Sequence, residues 1–103
     1  MKAALTFSLA GKVVLITGAG GGIGLAAAQA LASSGARLML SDVDAARGEA
    51  VLADFHALGL DARFAVCDVT QADSVRNLIE VTVAQFGRID CAVNNAGIEH
   101  AHA

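Results

Sequence analysis

The sequence contains no tyrosine, tryptophan or proline, and in 103 residues it has two cysteines and two lysines, Lys2 and Lys12. Two cysteines placed as far apart as Cys67 and Cys91 make neither a disulfide framework nor a zinc site, and a reducing cytoplasm fits them best. Basic residues are scarce as well. Seven Lys plus Arg stand against ten Asp plus Glu, for a formal charge of −3, with no basic cluster. Nothing here neutralises a phosphate backbone, so nucleic acid is not an expected partner. Charged residues make up 17% and hydrophobic residues 55%, the reverse of a composition that keeps a chain disordered. A length near the commonest domain size then predicts one packed unit over residues 1–103.

Two membrane readings fail on inspection. Residues 1–10 resemble a signal peptide faintly, but the apolar stretch is short and carries Thr6 and Ser8. Residues 13–36 are free of charge and long enough to span a bilayer. Five glycines between positions 18 and 24 would each cost a helix about 1 kcal/mol relative to alanine. The residues before them are β-branched and those after are alanine-rich. The run therefore reads as strand, loop and helix, and no membrane partner is expected.

The same unit recurs along the chain. Residues 13–17 form a continuous apolar, mostly β-branched segment, as in a strand buried on both faces of a parallel sheet. A helix over residues 23–34 follows, stopped by Gly35. Strand character returns over 36–41. Apolar residues then recur at helical spacing over 44–58 (Val51, Phe55, Leu58) before Gly59. Residues 61–67 read as a half-exposed strand. Thr70-x-x-Asp73 is a capping-box variant that opens a third helix, with a core stripe of Val75, Leu78, Ile79, Val83 and Phe86, stopped by Gly87. A fourth strand spans 89–93. Strands alternating with helices imply right-handed crossovers, and hence an α/β, Rossmann-like, doubly wound parallel sheet that is incomplete. Asp61 and Arg63 would blunt a strand at a sheet edge, whereas the first and fourth strands are apolar enough for the interior. The order 3-2-1-4 satisfies this. It puts three strand steps between Cys67 and Cys91, about 14 Å at roughly 4.8 Å each, beyond the ~7 Å a disulfide tolerates.

Residues 17–24, Thr-Gly-Ala-Gly-Gly-Gly-Ile-Gly, join the first strand to the first helix. A loop that turns sharply and brings backbone amides to an anion at the positive end of a helix has no room for side chains, and pyrophosphate is the expected ligand. The plain G-x-G-x-x-G pattern is absent, and residues 22–27 match only its Ala-terminated variant. Context strengthens the match: Asp42 ends the second strand about twenty residues on, where an acid can bind ribose hydroxyls. A flexible turn with a surface aspartate is the bland alternative. Asp68 and Val69 follow the third strand, and Asn94-Asn95-Ala96-Gly97 follow the fourth, both at the carboxyl edge where open α/β sheets bind ligands. Asp68 can accept from an adenine amino group or act as an acid favoured near the start of the third helix. Asn94 or Asn95 can bridge strands or face a cofactor. His100 and His102 read as solvated tail, with no third ligand to make a metal site.

Taken in order and at these spacings, Thr17-Gly18-x-x-x-Gly22-Ile23-Gly24, Asp42, Asp68-Val69 and Asn94-Asn95-Ala96-Gly97 resemble the short-chain dehydrogenase/reductase family over residues 9–98. The resemblance implies a nicotinamide dinucleotide-dependent oxidoreductase acting on alcohols and carbonyls. It places Gly18, Gly20, Gly21, Gly22, Ile23 and Gly24 around the diphosphate and nicotinamide ribose. It gives Asp42 the selection of NAD, Asp68 and Val69 the adenine, and Asn95, Ala96 and Gly97 the border of the two riboses. Family members that prefer NADP carry a basic residue in the glycine loop or just after the second strand. Here those places hold Gly21 and Val43, so NAD is the expected cofactor.

The departure from the family lies in its catalytic residues. The resemblance implies a Ser, a Tyr-x-x-x-Lys helix and a further Asn, all beyond the segment seen here. The sequence has no tyrosine, and both lysines precede the glycine loop. No catalytic residue is carried over, and a small alcohol or ketone substrate is expected only with a catalytic half. The chain is thus expected to be a cofactor-binding unit that stops before that half. A nucleotide-binding module without turnover, or an assembly fragment whose fourth strand pairs with another polypeptide, are the alternatives, and self-association is expected.

Overall fold

The computed structural model describes residues 8–95. Its elements are β1 (Val13–Thr17), α1 (Gly22–Ser33), β2 (Arg37–Asp42), α2 (Ala45–Ala57), β3 (Ala62–Val66), α3 (Ala72–Phe86) and β4 (Cys91–Asn94). The four strands form one parallel sheet in the order β3-β2-β1-β4, as expected. The uncharged run that could have passed for a membrane span is β1, a glycine loop and α1. Among the described residues no helix is long and apolar enough to cross a membrane.

The pleat explains why residues 13–16 of β1 and 38–40 of β2 are apolar without a break. Successive side chains point to opposite faces, and here both faces are covered. Val14, Ile16, Leu38 and Leu40 pack with Ala28, Ala32, Val51 and Phe55 beneath α1 and α2. Val13, Leu15 and Met39 pack with Leu78 and Phe86 beneath α3. The glycines that end the three helices, Gly35, Gly59 and Gly87, all take positive φ. Arg37, Asp61 and Arg63 form an ion-paired group where β3 makes the sheet edge, with both guanidiniums over the Phe86 ring.

Three local expectations are corrected. The capping box does not form: Gln71 is the N-cap residue of α3 and makes no side-chain cap bond. Thr70 instead turns back, its N–H and Oγ1 donating to Asp68 Oδ1 at 3.0 and 2.6 Å. The stripe of α3 is also rotated. Leu78, Thr82 and Phe86 are its buried residues, while Ile79 and Val83 are exposed. Thr82 can occupy the interior because its hydroxyl donates to the Leu78 carbonyl at 2.7 Å, which removes the cost of burying it. Leu58 caps the end of α2 and projects into solvent, because the chain leaves the helix before its side chain reaches the sheet.

Gly48 decides how closely α2 approaches the sheet. A Cβ there would lie 2.0 Å from Phe64 Cε1 and 2.1 Å from Cζ. Gly48→Val is therefore expected to destabilise the chain by about 1–3 kcal/mol, the usual cost of overpacking. Urea unfolding of Gly48→Val, Phe64→Leu and the double variant measures this. The second substitution should recover much of the loss, and strict additivity would contradict the contact.

Candidate functional site

The glycine loop lies at the carboxyl edge of the sheet, between β1 and α1, and the end of β2 holds it. Ala19 N–H donates to the Ser41 carbonyl at 2.9 Å, and Gly20 N–H donates to Asp42 Oδ2 at 2.9 Å. Gly18 and Gly22 take positive φ, at 67° and 58°, which L side chains rarely adopt. Gly24 is tighter still. A Cβ there would sit 1.9 Å from the Gly18 carbonyl oxygen, so the first turn of α1 rests directly on the loop. At Gly21 a Cβ would meet nothing within 4 Å, and Gly22 and Ile23 are exposed, so the outer side of the loop is open.

The start of α1 differs from those of the other helices. Gly21 is its N-cap, with no side-chain cap bond and no acid in the first turn. By contrast, Asp44 caps α2 by accepting from Arg47 N–H, and α3 carries Asp73 in its first turn. No side chain of its own start therefore caps the first-turn N–H groups of α1 or answers the positive end of its dipole.

Asp42 is the buried acid of the site, 3% exposed. Its Oδ1 accepts from Asp44 N–H at 2.9 Å and from Arg47 Nη2 at 3.1 Å. Its Oδ2 accepts from Gly20 N–H at 2.9 Å and from Arg47 Nη2 at 3.3 Å. Burial by itself raises the Asp42 pKa, but the Asp44 and Gly20 amides, and then the Arg47 guanidinium, stabilise the anion and hold it below the ordinary 3.8. A carboxyl with a depressed folded-state pKa binds fewer protons folded than unfolded, so its stabilisation is complete above the unfolded value and is lost as pH falls through the folded one. Chemical unfolding at a series of pH values should show stability falling below about pH 4. Asp42→Asn is expected to flatten that fall, and an unchanged profile would contradict the bonding just described.

Val43, the next residue, is exposed. Asp68 and Val69 lie half-buried beyond β3, close to Asp42 in the fold because Cys67 N–H donates to the Asp42 carbonyl at 3.1 Å. The Asp68 carboxylate serves the turn into α3 through Thr70, and its own N–H donates to Ser74 Oγ at 2.9 Å. Asn94 bridges β4 to β1, with Thr17 Oγ1 donating to its Oδ1 at 2.9 Å. Asn95 is 4% exposed, and its Nδ2 has no hydrogen-bond partner among the described residues. A buried donor without a partner is costly and rare. Ala96 and Gly97, with His100 and His102, lie outside the described residues. An apolar cavity of about 380 Å³ lies between α3 and β4, with Thr17, Cys67 and Asn94 in its wall. Among the described residues no cluster of His, Cys, Asp or Glu is suited to a metal ion. Cys67 is buried and Cys91 exposed, each as a free thiol.

Sequence reasoning missed Arg47. It lies five positions after Asp42, in the first turn of α2, and no motif spacing points to it. Only the fold brings its guanidinium back over Gly20 and Asp42.

The family model for short chain dehydrogenases matches residues 12–103. The chain belongs to that family. It is 47% identical over 88 residues to an L-fucose dehydrogenase of Bos taurus, covering 85% of this chain and 31% of the relative. It is 45% identical over 92 residues to a D-threitol dehydrogenase of Mycolicibacterium smegmatis, covering 89% and 35%. A short chain dehydrogenase/reductase from Burkholderia phymatum, solved in complex with NAD, superposes with a TM-score of 0.80 at 33% identity, over 84% of this chain and 31% of the other. The chain thus spans about a third of the length of these short-chain dehydrogenase relatives.

Proposed function

We propose that this short-chain dehydrogenase chain is the cofactor-binding part of an NAD-dependent oxidoreductase acting on alcohols and carbonyls. Gly18, Gly20, Gly21, Gly22, Ile23 and Gly24 hold the diphosphate. Asp42 takes the adenosine ribose hydroxyls with Val43 beside it, Asp68 and Val69 border the adenine, and Asn95, with Ala96 and Gly97, borders the riboses. The observation that carries this reading is the uncapped start of α1 stacked on the glycine loop, with Asp42 fixed to the same loop through Gly20 N–H. The orphaned amide of Asn95 fits it as well. Bound nicotinamide dinucleotide supplies the ring that exchanges a hydride. The chain's own residues bind and orient.

A buried, ionised Asp42 repels a 2′-phosphate, which favours NAD over NADP. Titrating both cofactors into the 103-residue chain tests this. NAD should bind more tightly, and tighter NADP would contradict the reading. With no tyrosine in the chain, residues 1–103 alone are expected to bind without reducing NAD.

One observation favours a second role beside the first. Among the described residues β4 pairs with β1 on one side and with no strand on the other, and Cys91 and Ala92 are exposed. Such an edge offers a row of main-chain donors and acceptors to another strand. Sedimentation of the purified chain is expected to show self-association, and a stable monomer would contradict it.

A further inference from the structure

Asp42 is saturated. Each of its oxygens already accepts one main-chain N–H and one bond from Arg47, and an ionised carboxylate offers about four acceptor positions in all. Any hydroxyl that binds Asp42 must therefore displace one of these donors. Gly20 N–H and Asp44 N–H belong to the backbone of the loops on either side, and releasing them means dismantling the loops. Arg47 is different: its side chain is 50% exposed, against 2% for Asp42, and it has rotatable bonds to spare. Of the three donors, the guanidinium yields.

From this we infer that Arg47 is a specificity-determining residue, an internal occupant of the Asp42 carboxylate that ribose hydroxyls must push aside and that a 2′-phosphate can recruit. The inference rests on the dinucleotide reading above. In the structure the guanidinium covers Asp42 and lies over Gly20, whose added Cβ would meet Arg47 Nε at 2.6 Å. Displaced from there, it stays tethered to the first turn of α2, within its own side-chain length of the same carboxylate. A guanidinium at that distance matches a phosphate through paired, charge-assisted bonds. Arg47 thus weakens NAD by competing with it and offsets the repulsion that Asp42 exerts on NADP. The cation that neither Gly21 nor Val43 supplies comes from the helix instead.

Equilibrium titration of NAD and NADP into the 103-residue chain, as wild type, Arg47→Met and Arg47→Lys, tests this. Methionine keeps an unbranched stem over the loop while removing the charge, and lysine keeps the charge. Thermal unfolding of each variant reports the fold independently. Arg47→Met is expected to bind NAD more tightly and NADP more weakly, widening the NAD-to-NADP affinity ratio about tenfold. Arg47→Lys is expected to stay nearer the wild-type ratio. An unchanged or narrowed ratio in Arg47→Met, equal weakening of both cofactors, or Arg47→Lys widening the ratio as far as methionine does, would each overturn the inference and leave the dinucleotide site standing. A folded wild type that binds neither cofactor overturns the site and this inference together.

Discussion

Gly24→Ala is expected to cost more than about 3 kcal/mol of stability and to abolish dinucleotide binding in whatever fraction still folds. The added methyl group would lie 1.9 Å from the Gly18 carbonyl oxygen and 2.8 Å from its carbon. Both are backbone atoms, and no rotamer change can move them away. Relief requires α1 to lift off the loop, which separates the free N–H groups of its first turn from the backbone of residues 18–22. Alanine has the highest helix propensity, and replacing glycine by it recovers at most about 1 kcal/mol, so the clash wins. Thermal unfolding and NAD titration on the same sample check both parts. Gly21→Ala, where a Cβ meets nothing within 4 Å, is the control expected to keep the fold. Equal behaviour of the two variants would contradict the role given to the close contact at Gly24.

Asp42→Ala is expected to narrow the preference for NAD while also weakening the fold. It removes the acceptor for the buried Gly20 amide and for Asp44 N–H. Each buried donor left unsatisfied costs about 1–3 kcal/mol. It also removes the repulsion between a carboxylate and a 2′-phosphate and leaves Arg47 in place as a cation. NAD affinity should therefore fall about tenfold, the loss of one to two hydrogen bonds, while NADP binding holds or improves. Paired titrations of the wild type and the variant measure it, and a parallel tenfold loss for both cofactors would show that Asp42 supports the loop without selecting between them.

The elements whose meaning is local were legible in the sequence. Residues 13–16 of β1 and 38–40 of β2 are apolar at successive pleat positions because both faces of the sheet are covered. Strand order followed from where charges fall, since Arg63 lies on the edge strand β3 and Asp61 directly before it. Glycines at 35, 59 and 87 end the helices because a left-handed residue is needed there. What failed turns on choices that apolar spacing and short motifs do not decide. The stripe on α3 was misjudged by counting apolar residues, whereas burial selects Thr82, whose hydroxyl is satisfied within the helix, over Ile79 and Val83. The capping box failed because Asp68 competed for Thr70. Within the site, the glycines and Asp42 announced themselves by spacing from the first strand. Arg47 did not, because its position opposite Asp42 depends on the angle at which α2 leaves β2.

The central claim is that residues 18–24 and Asp42 form one dinucleotide-binding surface on this chain, and hydrogen–deuterium exchange with and without saturating NAD tests it most directly. Exchange resolves peptides whether or not the chain self-associates. Added NAD should slow exchange in peptides covering residues 17–25 and 40–47 and leave the middle of α3, residues 76–84, unchanged. Protection absent from both site segments, or confined to α3, would contradict the claim.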